Sequence, residues 1–188
     1  GINRKDVGNQ KDVIGGVWVS PIKGMRIGAF GWVGSYARTG WWNDGMIEES
    51  GTRKVNRYRY AISAEYKDAD WQIRSEYIHN TGGAFKTTAN TSDDLKDCNY
   101  NDKLGDRADG VYVAMIAPII KGKLRAKARY DLYRQAGDWA SAKTIYKAGF
   151  NYLFCKNLEI QTEYSLVNDR NIVNHNYSMA DVQFSVRF

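Results

Sequence analysis

Apolar and polar residues alternate with a period of two along most of this chain, in segments of about ten residues. The clearest segment is 55–67. Asn56, Tyr58, Tyr60, Ile62, Ala64 and Tyr66 fall on one face, and Arg57, Arg59, Ala61, Ser63, Glu65 and Lys67 on the other. A helix would scatter the arginines around its axis, whereas a strand gathers them on one side. In 71–80, Trp71, Ile73 and Tyr77 oppose Gln72, Arg74 and Glu76. In 124–132, Leu124, Ala126, Ala128, Tyr130 and Leu132 oppose Arg125, Lys127, Arg129 and Asp131. Segments 146–154 and 158–166 repeat the pattern, the second setting Glu159, Gln161 and Glu163 against Ile160, Thr162 and Tyr164. The last segment sets Ala180, Val182, Phe184, Val186 and Phe188 against Asp181, Gln183, Ser185 and Arg187. Fainter alternation at 12–20, 25–38 and 110–117 brings the expected count to nine strands.

The connections sort by length. Segments 21–24, 67–70, 119–122 and 155–157 are tight, 39–54 and 81–109 are long, and 135–141 and 168–177 lie between. Tight turns at one end and longer loops at the other are the layout of an up-and-down membrane barrel, and Greek-key crossings would not sort this way. The expected fold is all-β: an antiparallel up-and-down meander of about nine strands, one domain over 1–188, forming part of a transmembrane β-barrel. Nine is odd, so the first and ninth strands run the same way and cannot pair antiparallel, while single-chain bacterial barrels have even numbers. The chain is therefore expected to be part of a larger barrel whose N-terminal strands are missing; a further strand within 2–10 is the alternative.

Composition decides between kinds of membrane protein. The mean hydropathy is -0.56, and the longest apolar run, 111–120, is broken by Pro118. A spanning helix needs about 20 apolar residues, so none is expected. A barrel instead places its apolar side chains at every second position and is polar on average. Thirteen Tyr and six Trp suit surfaces that are apolar at one end and wet at the other. The net charge of +6 comes without a basic run of five or more, which argues against nucleic acid as a partner. Gly1-Ile2-Asn3-Arg4 shows no signal peptide.

Alternation alone does not say which face meets lipid, since a soluble ligand-binding barrel would turn its apolar faces inward. Aromatics near strand ends (Trp71, Tyr77, Tyr164, Phe188), the sorted loops and the terminal aromatic favour the membrane. The ending Val182-Gln183-Phe184-Ser185-Val186-Arg187-Phe188 resembles the C-terminal assembly signal of outer-membrane barrels, carried by Val182, Phe184, Val186 and Phe188. The stretches 60–66 (Tyr-Ala-Ile-Ser-Ala-Glu-Tyr), 73–77 (Ile-Arg-Ser-Glu-Tyr) and 158–165 (Leu-Glu-Ile-Gln-Thr-Glu-Tyr-Ser) resemble the porin O/P, or phosphate-selective porin, family in its Bacteroidetes versions. The resemblance spans most of the chain without a strict motif. It implies a 16-stranded barrel that assembles as a homotrimer in the outer membrane of a Gram-negative bacterium, of which this chain would be the C-terminal portion. It also implies outer-membrane lipid and the barrel-assembly machinery as partners.

If the apolar faces meet lipid, the lumen wall carries Arg57, Arg59, Arg74, Arg125, Lys127, Arg129, Lys143 and Lys147, with Glu65, Glu76, Asp131, Glu159 and Glu163. Rows of Arg and Lys select anions or phosphate in pores, and the Arg fork matches phosphate oxygens. The competing reading is a solvated wall whose charges pair with one another. His79 and His175 read as exposed loop histidines. Asp93, Asp94, Asp97, Asp102, Asp106 and Asp109 crowd the 81–109 loop but lack the calcium-loop spacing, so no metal and no cofactor are expected. That loop could instead fold into the lumen. Cys98 and Cys155 are expected at opposite ends and unbridged. No nucleophile pairs with an oriented base, so no enzyme is expected. The functional expectation is a porin-like channel for passive diffusion of small hydrophilic solutes, with phosphate-like anions as one candidate class. The alternative is a non-conducting barrel serving as anchor or partner in an envelope complex.

Overall fold

In a computed structural model, the structure describes residues 11–86, 91, 93, 96–101 and 107–187. Phe188, the 2–10 segment and Asp94, Asp102 and Asp106 lie outside these residues. The described residues form nine strands and no helix: β1 (Val13–Val19), β2 (Met25–Asp44), β3 (Ile47–Asp68), β4 (Trp71–Thr81), β5 (Arg107–Ile120), β6 (Leu124–Arg134), β7 (Ala142–Cys155), β8 (Leu158–Asp169) and β9 (Asn176–Val186). They make one sheet in sequence order, each antiparallel to the next. The sheet is open: β1 and β9 are its edges and do not pair. Among the described residues the expected nine-stranded meander is therefore the observed one.

Backbone hydrogen bonding dominates this architecture because there is almost no buried apolar centre. The buried apolar residues are Val55, Phe85, Cys98, Ala142 and Val167. Large apolar side chains stand outward instead. On β3, β7, β8 and β9, Ile62, Phe150, Leu166 and Phe184 are 54%, 52%, 51% and 66% exposed. The register puts Ile62, Tyr77, Val111 and Leu132 in one row and Phe150, Thr162 and Val182 in another. Directly opposed residues of antiparallel strands share a face, so these rows form one continuous apolar surface. Most of the charged residues occupy the other face, whereas His79, Asp109 and Arg134 lie on the apolar side near the long-loop end. A cavity of about 610 Å³ on the charged face gathers residues from β3 through β7. Neighbouring strands lie about 4.8 Å apart, so only a curved sheet brings five of them around one space. The charged face is the concave one.

The tight connections lie together at one end, where two-residue turns join Asp68 to Trp71 and Cys155 to Leu158. Pro118 is accommodated in β5 by a register shift between Pro118 and Ile120, the kind of irregularity that lets a sheet tolerate a missing N–H.

One expected loop is corrected. Residues 39–54 are not a loop; β2 and β3 run on in register to Asp44 and Ile47, closed by Gly45 and Met46. Gly45 has φ +66°, the conformation that the first position of this tight hairpin turn demands. The period-two apolar signal is absent here because the outer hairpin extends past the band that faces lipid, so neither face has to be apolar along its length. A membrane-spanning strand needs about 9–11 residues, while β2 has 20 and β3 has 22. β1 pairs with 27–33 and β4 with 58–68, so among the described residues the outer part of the hairpin has no strand on either side. An isolated two-stranded ribbon is marginal in water. The 82–101 segment supports it. Phe85 and Cys98 pack on Val55, with Trp42 against the cluster. Trp41 bridges to Asp97, the Cys98 amide donates to the Trp41 carbonyl at 2.8 Å, and the Asn43 amide donates to Asn99 Oδ1 at 2.9 Å. Val55 lies in register with Tyr36 and two places from Arg57 on the charged face, so Phe85 and Cys98 cover the charged face of the outer hairpin.

Both cysteines are free, Cys98 fully buried under this segment and Cys155 exposed at the tight-turn end. Burial also pushes the Cys98 thiol above its ordinary pKa, reducing the reactive thiolate. At pH 7.5 a maleimide should label Cys155 in the folded protein and Cys98 at least about 100-fold more slowly, with Cys98 released by denaturant. Mass spectrometry reads both sites; equal labelling rates would mean that 82–101 does not pack on the hairpin.

Candidate functional site: the charged inner wall

Arg57, Arg59, Arg74, Arg125, Lys127, Arg129, Lys143 and Lys147 all fall on the concave face by register. Six of them meet carboxylates. Arg74 pairs with Glu65 at 2.9 Å, Arg125 with Glu159 at 3.5 Å, and Lys143 with Asp169 at 3.0 Å. Lys127 and Lys147 share Glu163 at 3.2 and 3.0 Å. Arg129 binds Asp131 two residues along its own strand, with Nε 2.9 Å from each carboxylate oxygen and Nη2 2.6 Å from Oδ1. These pairs offset one another's field in the lumen.

The shared Glu163 depends on one glycine. Lys127, Gly149 and Glu163 lie side by side on β6, β7 and β8. The Lys127 side chain crosses β7 to reach Glu163, and a Cβ at Gly149 would stand 2.9 Å from Lys127 Cε and 2.0 Å from the Thr162 carbonyl oxygen. The missing side chain is what lets an ion pair span two strands.

Arg57 and Arg59 are held differently. Arg59 Nε donates to Asn80 Oδ1 at 2.8 Å, and its guanidinium lies 4.7 Å over the Trp32 ring. Arg57 Nε donates to the Gly83 carbonyl at 3.3 Å and its guanidinium sits 5.6 Å from the Tyr36 ring. Farther along the hairpin, Arg53 Nη1 donates to the Cys98 carbonyl at 3.4 Å and stacks 3.9 Å over Tyr100. Arg38 Nε donates to Tyr36 Oη at 2.6 Å and Arg38 lies 5.0 Å over Phe85. Rings and carbonyls hold a guanidinium in place while leaving its charge in the field. Sequence reasoning missed Arg53 because it assigned 39–54 to a loop, and Arg38 because it stands at the very end of the faint 25–38 alternation.

The outer wall carries a second cluster that sequence reasoning missed. His79 is not an exposed loop histidine: it lies within β4, opposite Tyr60 on β3 and Asp109 on β5. Its side chain is 16% exposed and stacks 5.1 Å from Tyr60. Its Nε2 is 2.9 Å from Thr81 Oγ1, and its Nδ1 is 3.3 Å from Tyr77 Oη and 4.0 Å from Asp109 Oδ2. Arg134 grips Asp109 through both Nε, at 2.7 Å, and Nη2. Asp109 is thus a strand residue and not part of the loop. Among the other loop aspartates, Asp93 lies 3.7 Å from Lys96 and Asp97 accepts from the Asn99 amide. His175 sits in the β8–β9 connection, its Nδ1 3.1 Å from the Asp169 carbonyl. Val182, Phe184 and Val186 all face outward on β9.

The described residues therefore fold as a section of transmembrane-type β-barrel wall, largely apolar outside and ionic inside. No family model matches the sequence, and no curated protein does. Two solved structures are similar: OmpT folded in vitro, an outer membrane protein of Vibrio cholerae, at 16% identity and TM-score 0.48, and outer-membrane-expressed OmpT of Vibrio cholerae, at 16% and 0.49. The matches cover 85% and 84% of this chain and 46% of each of those. The chain spans about half the length of the structures it matches, and at this identity the likeness concerns the fold and transfers no site. The porin O/P resemblance gains no family match.

The exclusion of an enzyme is corrected: it rested on the sequence offering no oriented base, and the fold supplies an arrangement that the sequence did not show. The fold brings His79 to Asp109 and Thr81, a pairing invisible in sequence because it depends on the β4–β5 register.

The Asp109–Arg134 pair is nearly buried on the acidic side, with Asp109 6% and Arg134 24% exposed. Removing one partner of such a pair leaves the other uncompensated. Asp109→Ala should cost about 3 kcal/mol, the low end for a buried pair because Arg134 keeps some solvent. Denaturant titration in micelles measures this, and a loss below about 0.5 kcal/mol would show that the pair behaves as a solvated one. Gly149→Val should lower the denaturant midpoint as well, and by more than Gly122→Val, whose site is open but carries a positive φ of 69°.

Proposed function

We propose that this chain forms part of the wall of an outer-membrane channel through which small hydrophilic solutes diffuse passively, with a bias toward anions. The observation that carries this is the ionic face itself. Charged side chains from β3 through β8 line one concave surface while the opposite surface is apolar and outward, the division that a water-filled lumen in a lipid bilayer requires. The porin O/P resemblance fits this reading.

The anion bias is assigned to the β2–β3 side of the wall. Arg125, Lys127 and Arg129 spend their charge on Glu159, Glu163 and Asp131. Arg57 and Arg59 keep theirs, since the groups holding them are neutral. The barrel is completed, on this reading, by an odd number of further strands, because β1 and β9 run parallel; seven would make the sixteen of the resemblance. One observation favours the alternative of an envelope-complex partner: the hairpin tip carries fully exposed Met46 beside an exposed Ile47, an apolar end held well beyond the band of strand pairing.

The intact protein in planar bilayers should conduct, with a reversal potential favouring chloride over potassium. Replacing Arg57 and Arg59 with Gln should lower that preference about two- to fivefold, as expected of two unit charges acting across several ångströms of water. Neutralising Arg125, Lys127 and Arg129 should lower it less. No conductance would reject the channel; an unchanged preference in the Arg57/Arg59 variant would reject the assignment of the bias.

A further inference from the structure

We infer that the cavity in the inner wall is a binding site for dipolar solutes, in particular short peptides of about three residues with free termini. This rests on the reading that the concave face lines a water-filled passage, and it names what that passage recognises.

The cavity, about 610 Å³, lies toward the long-loop end and is lined by Arg57, Arg59, Ile78, Tyr112, Ile145 and Glu76, among others. That volume is in the range of small-ligand sites. Three of its charges are already satisfied: Asp109 by Arg134, Asp131 by Arg129 and Lys143 by Asp169. Arg57, Arg59, Glu76 and Arg107 have no ion-pair partner among the described residues, and Arg107 lies at the same end as the other arginines. The guanidinium groups of Arg57 and Arg59 have neutral partners. Glu76 has no hydrogen-bond or ion-pair partner among the described residues.

These unspent charges stand at opposite ends of an apolar stretch. Asn80, which holds Arg59, is followed on the same face of β4 by Ile78 and then Glu76. Tyr112 lies opposite Glu76 on β5, and Ile145 lies beyond Asp131 on the same row. Four residues of strand span about 13 Å, and the arginine and glutamate side chains shorten the gap between charged heads to the order of 10 Å. An extended chain covers about 3.3–3.6 Å per residue, so three residues fit. The peptide carboxylate meets Arg59, with Arg57 adding positive charge from two residues farther along β3, its ammonium meets Glu76, and its middle lies over Ile78 and Tyr112. An inorganic anion satisfies only the arginine end and is repelled by Glu76. A dipolar solute completes both, each through charge-assisted hydrogen bonds.

The test uses the intact protein and the peptide Ala-Leu-Ala, with free termini and in N-acetylated and C-amidated forms. In planar bilayers the free peptide should reduce the potassium chloride current, and blocking either terminus should weaken that effect about tenfold, the loss expected when one charge-assisted contact goes. In the Glu76→Gln variant the free and N-acetylated peptides should act alike, while C-amidation should still weaken block. Equal action of all three peptides on the unmodified protein, or an undiminished preference for the free N-terminus in Glu76→Gln, overturns the site. Isothermal titration in micelles with the same peptides gives the same comparison without conductance. A protein that fails to conduct but discriminates the termini would defeat the channel and keep the site.

Discussion

Lateral backbone hydrogen bonding is the constraint on which the rest of this structure depends. A strand crossing hydrocarbon has no water for its N–H and C=O groups, so every one must be met by a neighbouring strand. The strands β2 to β8 meet this on both edges by pairing with their sequence neighbours, with tight turns at one end, while β1 and β9 each meet it on one edge. Once the ladder is fixed, side chains are divided strictly by parity. Residues at one parity meet lipid and those at the other meet the lumen, and a slip of one residue would exchange the two. That is why Ile62, Val111 and Leu132 share a row, and why Lys127 and Glu163 face each other across a glycine.

Parity also explains where charge is spent and where it is kept. Along β6, β7 and β8, acids and bases stand in adjacent positions on the inner face, so pairing is immediate. Along β2 and β3 the inner face offers arginines next to arginines and aromatic rings, with Trp32, Tyr36 and Trp42 among them. Stacking then replaces ion pairing as the means of holding the side chain. The same hairpin, extending beyond its neighbours, relies on 82–101 to cover both its inner face and its outer edge. An uncovered edge of that length would be a template for unwanted pairing.

How much of this was legible in sequence follows from the same rule. Strands with one face in lipid must alternate, and segments such as 55–67, 124–132 and 158–166 declared their strands and faces openly. The eight basic residues landed on one face as parity required. The outer hairpin did not declare itself, because it extends past the lipid-facing band and so escapes the demand for alternation; its only local signal was Asp44-Gly45, a hairpin-turn pair that went unused. Ion pairing was not legible either, since whether Arg125 is spent on Glu159 depends on partners two strands away. The His79–Asp109–Arg134 cluster was hidden for a related reason: its members are separated by a long connection and meet only through the register of β4, β5 and β6. Chemistry assembled across strands escapes any search for local spacing.

The central claim is that the parity carrying Ile160, Tyr164 and Leu166 faces lipid. Spin labels placed singly at each position from 158 to 166 in bilayer-reconstituted protein test it most directly. Collision rates with oxygen should peak at 160, 162, 164 and 166, and collision rates with a water-soluble nickel chelate at 159, 161, 163 and 165. The opposite phase would make this an inside-out, soluble-type barrel, and an absence of alternation would mean that β8 does not stand in a barrel wall.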